Sequence, residues 1–305
     1  MDKVVVVVGP TASGKSDLSI KLSKKVNAEI INADSRQIYS LMDIGTAKPT
    51  PQQLETIQHY LVSIRDPDYN FNVMEFKDLC KASLQKIINK NKVPILCGGS
   101  GQYIYSVIQN WSLGKVPPDP EFRQAMHSYA ERYGAEKLFA RLKTIDPLKA
   151  ESIDYRNIPR VIRALEILNQ PSQLVTEADP FFDNLNFLIV GVTQERSLLY
   201  SNIDHRVDQM IANGFLEEVQ SLLNKGFPPT LRAFNSPGYR ELISYTTQDI
   251  TWDDAVSKIK TKTHTLARKQ YNWFKPNDHS IHWFDSSTPN YSNDVHELVA
   301  TFLKS

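Results

Sequence analysis

The chain has 305 residues, of which 41% are hydrophobic and 23% charged, and its formal net charge is +1. This composition excludes wholesale disorder, and the length allows one large α/β domain or a core with a smaller module. Because the charges nearly cancel, net charge alone indicates neither a nucleic-acid nor a membrane partner. Evidence for such a partner would have to come from the local distribution of charge.

Strand and helix signals alternate through the first hundred residues. The predicted elements, in chain order, are a strand at 4–8, a helix at 17–26, a strand at 29–32, turns at 45–51, a helix at 73–89, a strand at 93–97 and a helix at 102–109. Such alternation predicts parallel pairing in a doubly wound α/β sheet. Ligands of these sheets bind beyond the carboxyl ends of the strands, so the loops at 9–16, 34–37 and 98–101 should converge on one crevice.

The pattern changes at residues 114–120 (GKVPPDP). Residues 121–170 are helical in pattern and charged, 171–180 is a polar loop, and 186–192 restores a core strand. We therefore predict an α/β core formed by residues 1–113 and 187–305, interrupted by a helical insertion at 114–186. The rest of the core is predicted to be helical, ending in a short strand at 280–284.

The most specific signal for a ligand is GPTASGKS at residues 9–16, directly after the first strand. This is the P-loop pattern G-x-x-x-x-G-K-[ST], in which backbone N–H groups and the start of a helix bind phosphates. Lys15 then reaches the outer phosphates, and the Ser16 hydroxyl can ligate Mg²⁺. The motif predicts a di- or triphosphate site.

Two further loops follow strands that should end beside this site. Asp34 begins DSRQIY and could be a Mg²⁺ ligand through water or a general base, although a helix-capping aspartate is the alternative. Residues 98–101 (GGSG) allow close backbone approach to a ligand and place the Ser100 hydroxyl there, although a plain tight turn would have the same sequence.

Basic residues form the last group of candidates. Arg163, Arg196 and Arg206 could neutralise a phosphate or could be solvated charges on helix faces. Residues 255–277 contain no acidic residue and interleave aromatic side chains with cations, a pattern suited to RNA or DNA, or else to a surface helix whose aromatics cap the core. The cations of this stretch are Lys258, Lys260, Lys262, Arg268, Lys269 and Lys275.

The remaining features concern compartment and anchoring. Cys80 and Cys97 are too few for a disulfide framework or a zinc site, which suits a reducing compartment. We find neither a signal peptide nor a membrane-spanning run, so we expect a cytoplasmic protein.

Segments along nearly the whole chain resemble the bacterial tRNA dimethylallyltransferase family. They are GPTASGKS (9–16), DSRQIY with MDIGTAKPT (34–50), IRDPDYNFNVMEF (64–76), GGSGQYI (98–104), RVIRALEI (160–167), ERSLLYSNIDHRVDQM (195–210), GYRE (238–241) and ARKQYNWF (267–274). The phrase DIGTAKP is far more specific than a P-loop. The resemblance implies a P-loop NTPase-like core that holds dimethylallyl diphosphate in place of a nucleotide.

The resemblance also implies roles for individual residues. Asp34 would be the general base on the adenine amine, with Ser100 helping to position the reactants. The implied diphosphate contacts, with Mg²⁺ as cofactor on Ser16, are Gly9, Thr11, Ala12, Ser13, Gly14, Lys15, Ser16 and Arg206. The implied contacts with the tRNA anticodon stem-loop are Ser35, Gln37, Arg160, Arg163, Lys262, Arg268, Lys269 and Gln270. The helical insertion would grip the anticodon stem, and the enzyme is expected to be a monomer without a membrane partner.

This sequence departs from the family pattern at several positions. Ser100 stands where threonine is usual, Pro159 precedes Arg160, residues 235–237 read NSP, and His264 replaces an arginine. None of these changes Lys15 or Asp34. Three alternatives to the family activity are a small-molecule kinase, an enzyme that prenylates free adenine nucleotides and an RNA-binding protein with a vestigial P-loop. The basic carboxyl-terminal stretch and the intact Lys15 and Asp34 argue against them.

Overall fold

The computed structural model describes residues 1–112, 116, 118–169 and 178–305, which form two compact units. The larger unit contains Met1–Asn110 and Pro180–Ser305, and the smaller contains Trp111–Asp179. The predicted boundaries at 113/114 and 186/187 differ from these by a few residues. Residues 180–186 join the larger unit because Phe182 and Leu185 are buried in its core.

A six-stranded parallel sheet forms the centre of the larger unit, which confirms the predicted α/β fold class. Its spatial order is β3-β2-β4-β1-β5-β6. The strands are β1 (Asp2–Val8), β2 (Ala28–Asn32), β3 (His59–Tyr60), β4 (Val93–Cys97), β5 (Leu185–Thr193) and β6 (Ile281–Asp285). Central β1 pairs Val5 with Ile95 of β4 and with Leu188 of β5.

Helices account for most of the other described residues. They are α1 (Lys15–Val26), α2 (Pro51–Thr56), α3 (Val73–Ile88), α4 (Gly101–Ile108), α5 (Pro120–Tyr133), α6 (Ala135–Ile145), α7 (Pro147–Glu151), α8 (Ile158–Asn169), α9 (Pro180–Asp183), α10 (Arg196–Ala212), α11 (Phe215–Asn224), α12 (Tyr239–Thr246), α13 (Trp252–Trp273) and α14 (Tyr291–Lys304). A 3₁₀ turn spans Arg232–Asn235. No described helix is long and apolar enough to cross a membrane.

The valines of β1 divide the larger core into two layers because successive strand residues point to opposite faces. Val4, Val6 and Val8 pack with side chains of α3, α4, α11 and α12. Val5 and Val7 pack with side chains of α1 and α14. Helices cover both faces, as a fully buried parallel sheet requires.

The smaller unit is a helical bundle formed by α5, α6, α7 and α8, as the charged helical pattern predicts. Its core includes Leu138, Leu142, Val161 and Leu165. Residues 171–177 of the predicted polar loop and residues 114, 115 and 117 of the composition change lie outside the described residues.

The sequence analysis misses β3, α2 and α14. A two-residue strand is too short to show a period, and helix α2 has no buried residue that would give it an apolar face. Helix α14 follows the strand taken as the last element and buries only Val295 and Val299. These omissions do not change the positions of the strand ends that carry the predicted site.

Candidate active site

Three loops meet at the carboxyl ends of the adjacent strands β2, β4 and β1. The Ser35 N–H donates to Ser100 Oγ at 2.9 Å, and the Ser100 N–H donates to Ala33 O at 3.2 Å. A Cβ on Gly98 would lie 2.3 Å from the Ala33 backbone, so only glycine allows this approach. Residues of all three loops line one cavity of about 530 Å³, as expected from the topology.

The P-loop is the first wall of this cavity. Gly9 has φ +143° and a Cβ there would lie 2.2 Å from Val192 O, so the loop passes directly against β5. Ser286, just after β6, donates through its hydroxyl to Ser13 O at 3.0 Å. Of the predicted diphosphate contacts, Gly9 and Ser13 are buried outside the cavity lining. Those that line the cavity are Thr11, Ala12, Gly14, Lys15, Ser16 and Arg206.

Lys15 is the cation at the start of α1. Its ammonium donates to the carbonyl oxygen of Pro10. Burial, assisted by nearby Arg206 and opposed by Cys97 and Asp34, lowers the pKa of Lys15 to about 8. An anion beside the ammonium would reverse this shift, because an opposite charge favours the protonated form.

Gln270 joins the P-loop to the GGSG loop. The Thr11 N–H donates to Gln270 Oε1 at 2.7 Å, and Gln270 Nε2 donates to Gly99 O at 3.2 Å. The side chain is buried, and a Cβ on Gly99 would lie 2.0 Å from its amide nitrogen. The structure therefore places this predicted tRNA contact between two loops of the cavity, where it occupies one backbone donor of the P-loop.

Within the part of the chain that the structure describes, one oxygen of the Asp34 carboxylate accepts a hydrogen bond. Its Oδ1 accepts from the Arg36 N–H at 2.8 Å, a contact within the turn at residues 35–38, where the helix-capping alternative would require a helix. No described residue donates a hydrogen bond to Oδ2. Asn32 fixes the same loop by accepting from the Asp34 N–H at 3.2 Å. The carboxylate thus combines a structural contact with an oxygen free to bind a substrate proton.

A second cavity of about 190 Å³ adjoins the first. The residues that line both include Thr11, Asp34, Thr46, Ala47, Gly99, Arg206 and Gln270. The second cavity has an apolar wall contributed by α10 and α13, formed by Ile203, Val207, Met210, Ile259 and Leu266. Asp34 therefore stands where the cavity lined by the P-loop meets the cavity with an apolar wall.

Arg206 of α10 is the second cation at this junction. It lines both cavities and makes no hydrogen bond or ion pair with any described residue. Burial lowers its pKa, and the carboxylates of Asp34 and Asp17 act in the opposite direction. A guanidinium enclosed without a paired carboxylate is suited to an anionic ligand.

The predicted tRNA contacts of the larger unit occupy different surroundings. Gln37 Nε2 donates to Thr46 O at 3.1 Å and to Ala47 O at 3.0 Å. Lys262 pairs with the buried carboxylate of Glu241. Arg268 Nη2 donates to Thr265 Oγ1 at 2.8 Å and Nη1 to Tyr200 OH at 3.3 Å.

Two further lysines of α13, and the histidine that departs from the family pattern, have different surroundings. Lys258 and Lys269 are exposed and have no partner among the described residues. His264 stacks on Tyr200 with ring centroids 4.2 Å apart, and its Nε2 lies 2.8 Å from Asp204 Oδ1. His264, which stands where the family has arginine, thus forms an internal contact between α13 and α10.

In the smaller unit, Arg160 is exposed, whereas Arg163 is half-buried and bonded to other residues of the unit. Arg163 pairs with Glu166 and donates to Val116 O at 2.9 Å, and Arg123 Nη2 also pairs with Glu166 at 2.8 Å. Burial opposes ionisation of Glu166, but these arginines lower its pKa to about 2. Pro159 lies in the first turn of α8, where proline is tolerated.

The segment DIGTAKP (residues 43–49) contributes to both cavities, although the sequence analysis assigns no role to its residues. Thr46 and Ala47 line both cavities, and Lys48 lines the larger one. Lys48 donates to Tyr39 O and, at 2.6 Å, to Asp43 Oδ1. The specificity of the phrase was the available signal that these residues belong to the site.

Known proteins resemble the chain over nearly its whole length. The family model described as IPP transferase matches residues 37–277. A tRNA dimethylallyltransferase of Dehalococcoides mccartyi is 40% identical over 304 residues, covering 98% of this chain and 92% of its own.

Solved structures agree with this similarity. A full-length tRNA isopentenylpyrophosphate transferase from Bacillus halodurans is 34% identical with a TM-score of 0.75, covering 100% of this chain and 97% of its own. A eukaryotic dimethylallyltransferase acting on tRNA shares the fold, with a TM-score of 0.82 at 24% identity and coverage of 100% and 80%.

Proposed function

The chain belongs to the IPP transferase family, and we propose that it prenylates tRNA, moving a dimethylallyl group from dimethylallyl diphosphate to the adenosine 3′-adjacent to the anticodon, position 37. The prenyltransferase class expected from the sequence is confirmed by the family match and the relatives. The observation that carries the residue assignments is the junction at Asp34, where cationic and apolar walls meet beside a free carboxylate oxygen.

The diphosphate occupies the larger cavity in this proposal. Backbone N–H groups of the P-loop, the start of α1, Lys15 and Arg206 surround it with positive charge. These groups stabilise the charge that develops on the diphosphate as it leaves, which lowers the barrier directly because an allylic carbon tolerates positive charge.

The acceptor amine is the second reactant. An aromatic amine is a poor nucleophile because its lone pair is delocalised into the ring, so removal of its proton assists the attack. Asp34 Oδ2 takes that proton, while the amine nitrogen bonds to the allylic carbon and the carbon–oxygen bond to diphosphate breaks. The adenosine is extruded from the anticodon loop to reach this point, at a cost of a few kcal/mol.

Mg²⁺ is the proposed cofactor, and the residues present fit it. Ser16 lines the larger cavity with a hydroxyl that makes no hydrogen bond to a described residue. The described residues contain no cluster of three or more His, Cys, Asp or Glu side chains that could cage a metal. Mg²⁺ commonly takes few protein ligands beside substrate phosphates, and when bound it would neutralise part of their charge.

The affinity for dimethylallyl diphosphate should fall as the pH rises above about 8. Burial holds the Lys15 pKa near 8, and binding of an anion favours the protonated lysine, so binding takes up a proton at higher pH. Affinity should fall by up to about tenfold per pH unit until the pKa of the bound state is reached. Calorimetric titration at pH 7 and pH 9 measures this loss, and Lys15→Arg should show a flat profile. Equal wild-type affinity at both values would contradict the assignment.

The exposed cations of α13 are proposed to bind the tRNA backbone. Replacing Lys258, Arg268 and Lys269 together by glutamine should weaken tRNA binding and reduce the salt slope of log K by about 2 to 3, at roughly 0.7–0.9 per phosphate contact. Binding measured between 50 and 300 mM salt tests this. Lys262 is left intact, since its loss would strand the buried Glu241. A salt slope equal to that of the wild type would remove α13 from the interface.

The direct test of the proposed function is transfer of label. The chain is incubated with labelled dimethylallyl diphosphate and an unmodified anticodon stem-loop, and with a matched stem-loop carrying guanosine beside the anticodon. Label on the adenosine-containing RNA alone is the expected result. Label on neither RNA, together with thermal stabilisation by ATP only, would favour the kinase alternative. A cytoplasmic location follows from tRNA as substrate and stays a prediction.

A further inference from the structure

One carboxylate on α11 binds the turn that carries DIGTAKP. Glu218 Oε2 accepts from the N–H groups of Asp43 and Ile44, both at 2.7 Å. Its Oε1 accepts from the Gly45 N–H at 3.1 Å and from the Tyr239 hydroxyl at 2.7 Å. Three successive backbone donors converging on one anion form a nest, which is normally a ligand-binding arrangement and is here occupied from within.

The turn is held against the aromatic side chains beside this carboxylate. A Cβ on Gly45 would lie 2.1 Å from the Phe215 ring and 2.7 Å from the Tyr239 ring, so a larger residue would displace the turn. Within the turn, the Thr46 hydroxyl donates to Met42 O at 2.5 Å and the Lys48 N–H donates to Asp43 O at 3.0 Å. The position of residues 43–48 is thus fixed relative to α11.

The other side of the same turn forms part of the candidate active site. The carbonyl oxygens of Thr46 and Ala47 accept from the Gln37 amide, which orients that side chain three residues after Asp34. Both residues also line the two cavities that meet at Asp34. A shift of the turn would therefore move the Gln37 amide and the wall shared by the two cavities.

We propose that Glu218 is a positioning residue for prenyl transfer, which acts through the turn at 43–48 to set the Gln37 amide and the cavity wall for the acceptor nucleotide. Glu218 lines neither of the two cavities. The proposal rests on the proposed function and adds a residue outside the motifs at 9–16, 34–37 and 98–101. Gln37 is a predicted tRNA contact, whereas the proposed diphosphate contacts are on the P-loop and at Arg206. The proposal therefore requires that the acceptor side of the reaction depend on Glu218 more strongly than the diphosphate side does, although Gln37 also lines the larger cavity.

The test compares Glu218→Gln with Glu217→Gln, an exposed neighbour on the same helix. Glutamine keeps the size of Glu218 but replaces one acceptor oxygen by an NH₂ group facing backbone donors. We expect a KM for the anticodon stem-loop at least about fivefold higher, a lower kcat and a dissociation constant for dimethylallyl diphosphate within twofold of wild type. Glu217→Gln should match the wild type in all three.

Two further variants keep the proposal open to refutation if Glu218→Gln folds poorly. Tyr239→Phe removes one donor and leaves the carboxylate, so it should raise the same KM by a smaller factor. In the double variant with Gln37→Ala, Glu218→Gln should add little to the increase in KM, since both changes act on one network.

Three results would overturn the proposal. They are a wild-type KM in both the Glu218 and Tyr239 variants, additive effects of the Glu218 and Gln37 changes, and a loss of diphosphate affinity equal to the loss on the acceptor side. If the wild-type chain transfers no label, the proposed function fails instead.

Discussion

The Asp34→Asn variant should turn over about 10²- to 10⁴-fold more slowly than the wild-type chain while retaining its affinity for dimethylallyl diphosphate. Asparagine keeps an Oδ1 that can accept from the Arg36 N–H, so the turn is preserved and only the basic oxygen is lost. Single-turnover rates with saturating stem-loop RNA, together with calorimetric titration of the diphosphate, measure the two quantities separately.

The matched comparison for this prediction is Asp34→Ala, which loses both the basic oxygen and the turn contact. If Asp34 were only a capping residue, Asn should turn over normally and Ala slowly. If it is the general base, both should be slow, with Ala less stable to heat. Near-normal turnover of the Asn variant would therefore reject the base assignment.

The Arg206→Met variant should lose about 10²- to 10³-fold in turnover, the cost of removing one donor that stabilises developing charge. The diphosphate should also bind more weakly, because Arg206 lines both cavities and forms no hydrogen bond or ion pair with a described residue. Thermal stability should be unchanged or higher, since burial disfavours the unpaired guanidinium in the empty site.

Lys21→Met is the control for Arg206→Met, since it removes one positive charge from the exposed side of α1. It should leave turnover and diphosphate affinity at wild-type values. Comparable losses in both variants would mean that overall charge, and not the guanidinium at the junction, is responsible. A stability loss in Arg206→Met comparable to that of a core truncation would assign the residue a structural role.

The sequence was sufficient to predict the elements that carry the site. Residues 9–16, Asp34 and residues 98–101 each follow an apolar strand, and parallel strands end at the same edge, so their convergence could be predicted from order alone. The DSRQ and GGSG loops are close in sequence to the strands that position them. Their local pattern therefore carries most of the information about where they lie.

The partners of these loops could not be predicted in the same way. Gln270 reaches Thr11 across 259 residues of sequence, and Glu218 reaches Gly45 across 173. From the sequence alone, Arg163 could be either a phosphate contact or a solvated charge on a helix face. The structure shows that it forms an ion pair with Glu166, which Arg123 also contacts. Such contacts depend on how helices pack, which hydrophobic period alone does not specify.

The contacts that brace the P-loop have a consequence for folding. The partners Val192, Gln270 and Ser286 are synthesised long after the loop itself, Ser286 lying 273 residues beyond Ser13. Contacts of such separation are slow to form, whereas Trp111–Asp179 is continuous and can pack as soon as it has emerged. We therefore expect a nascent chain to acquire its helical bundle first and to gain a braced P-loop only when β6 and the residues that follow it have joined the sheet.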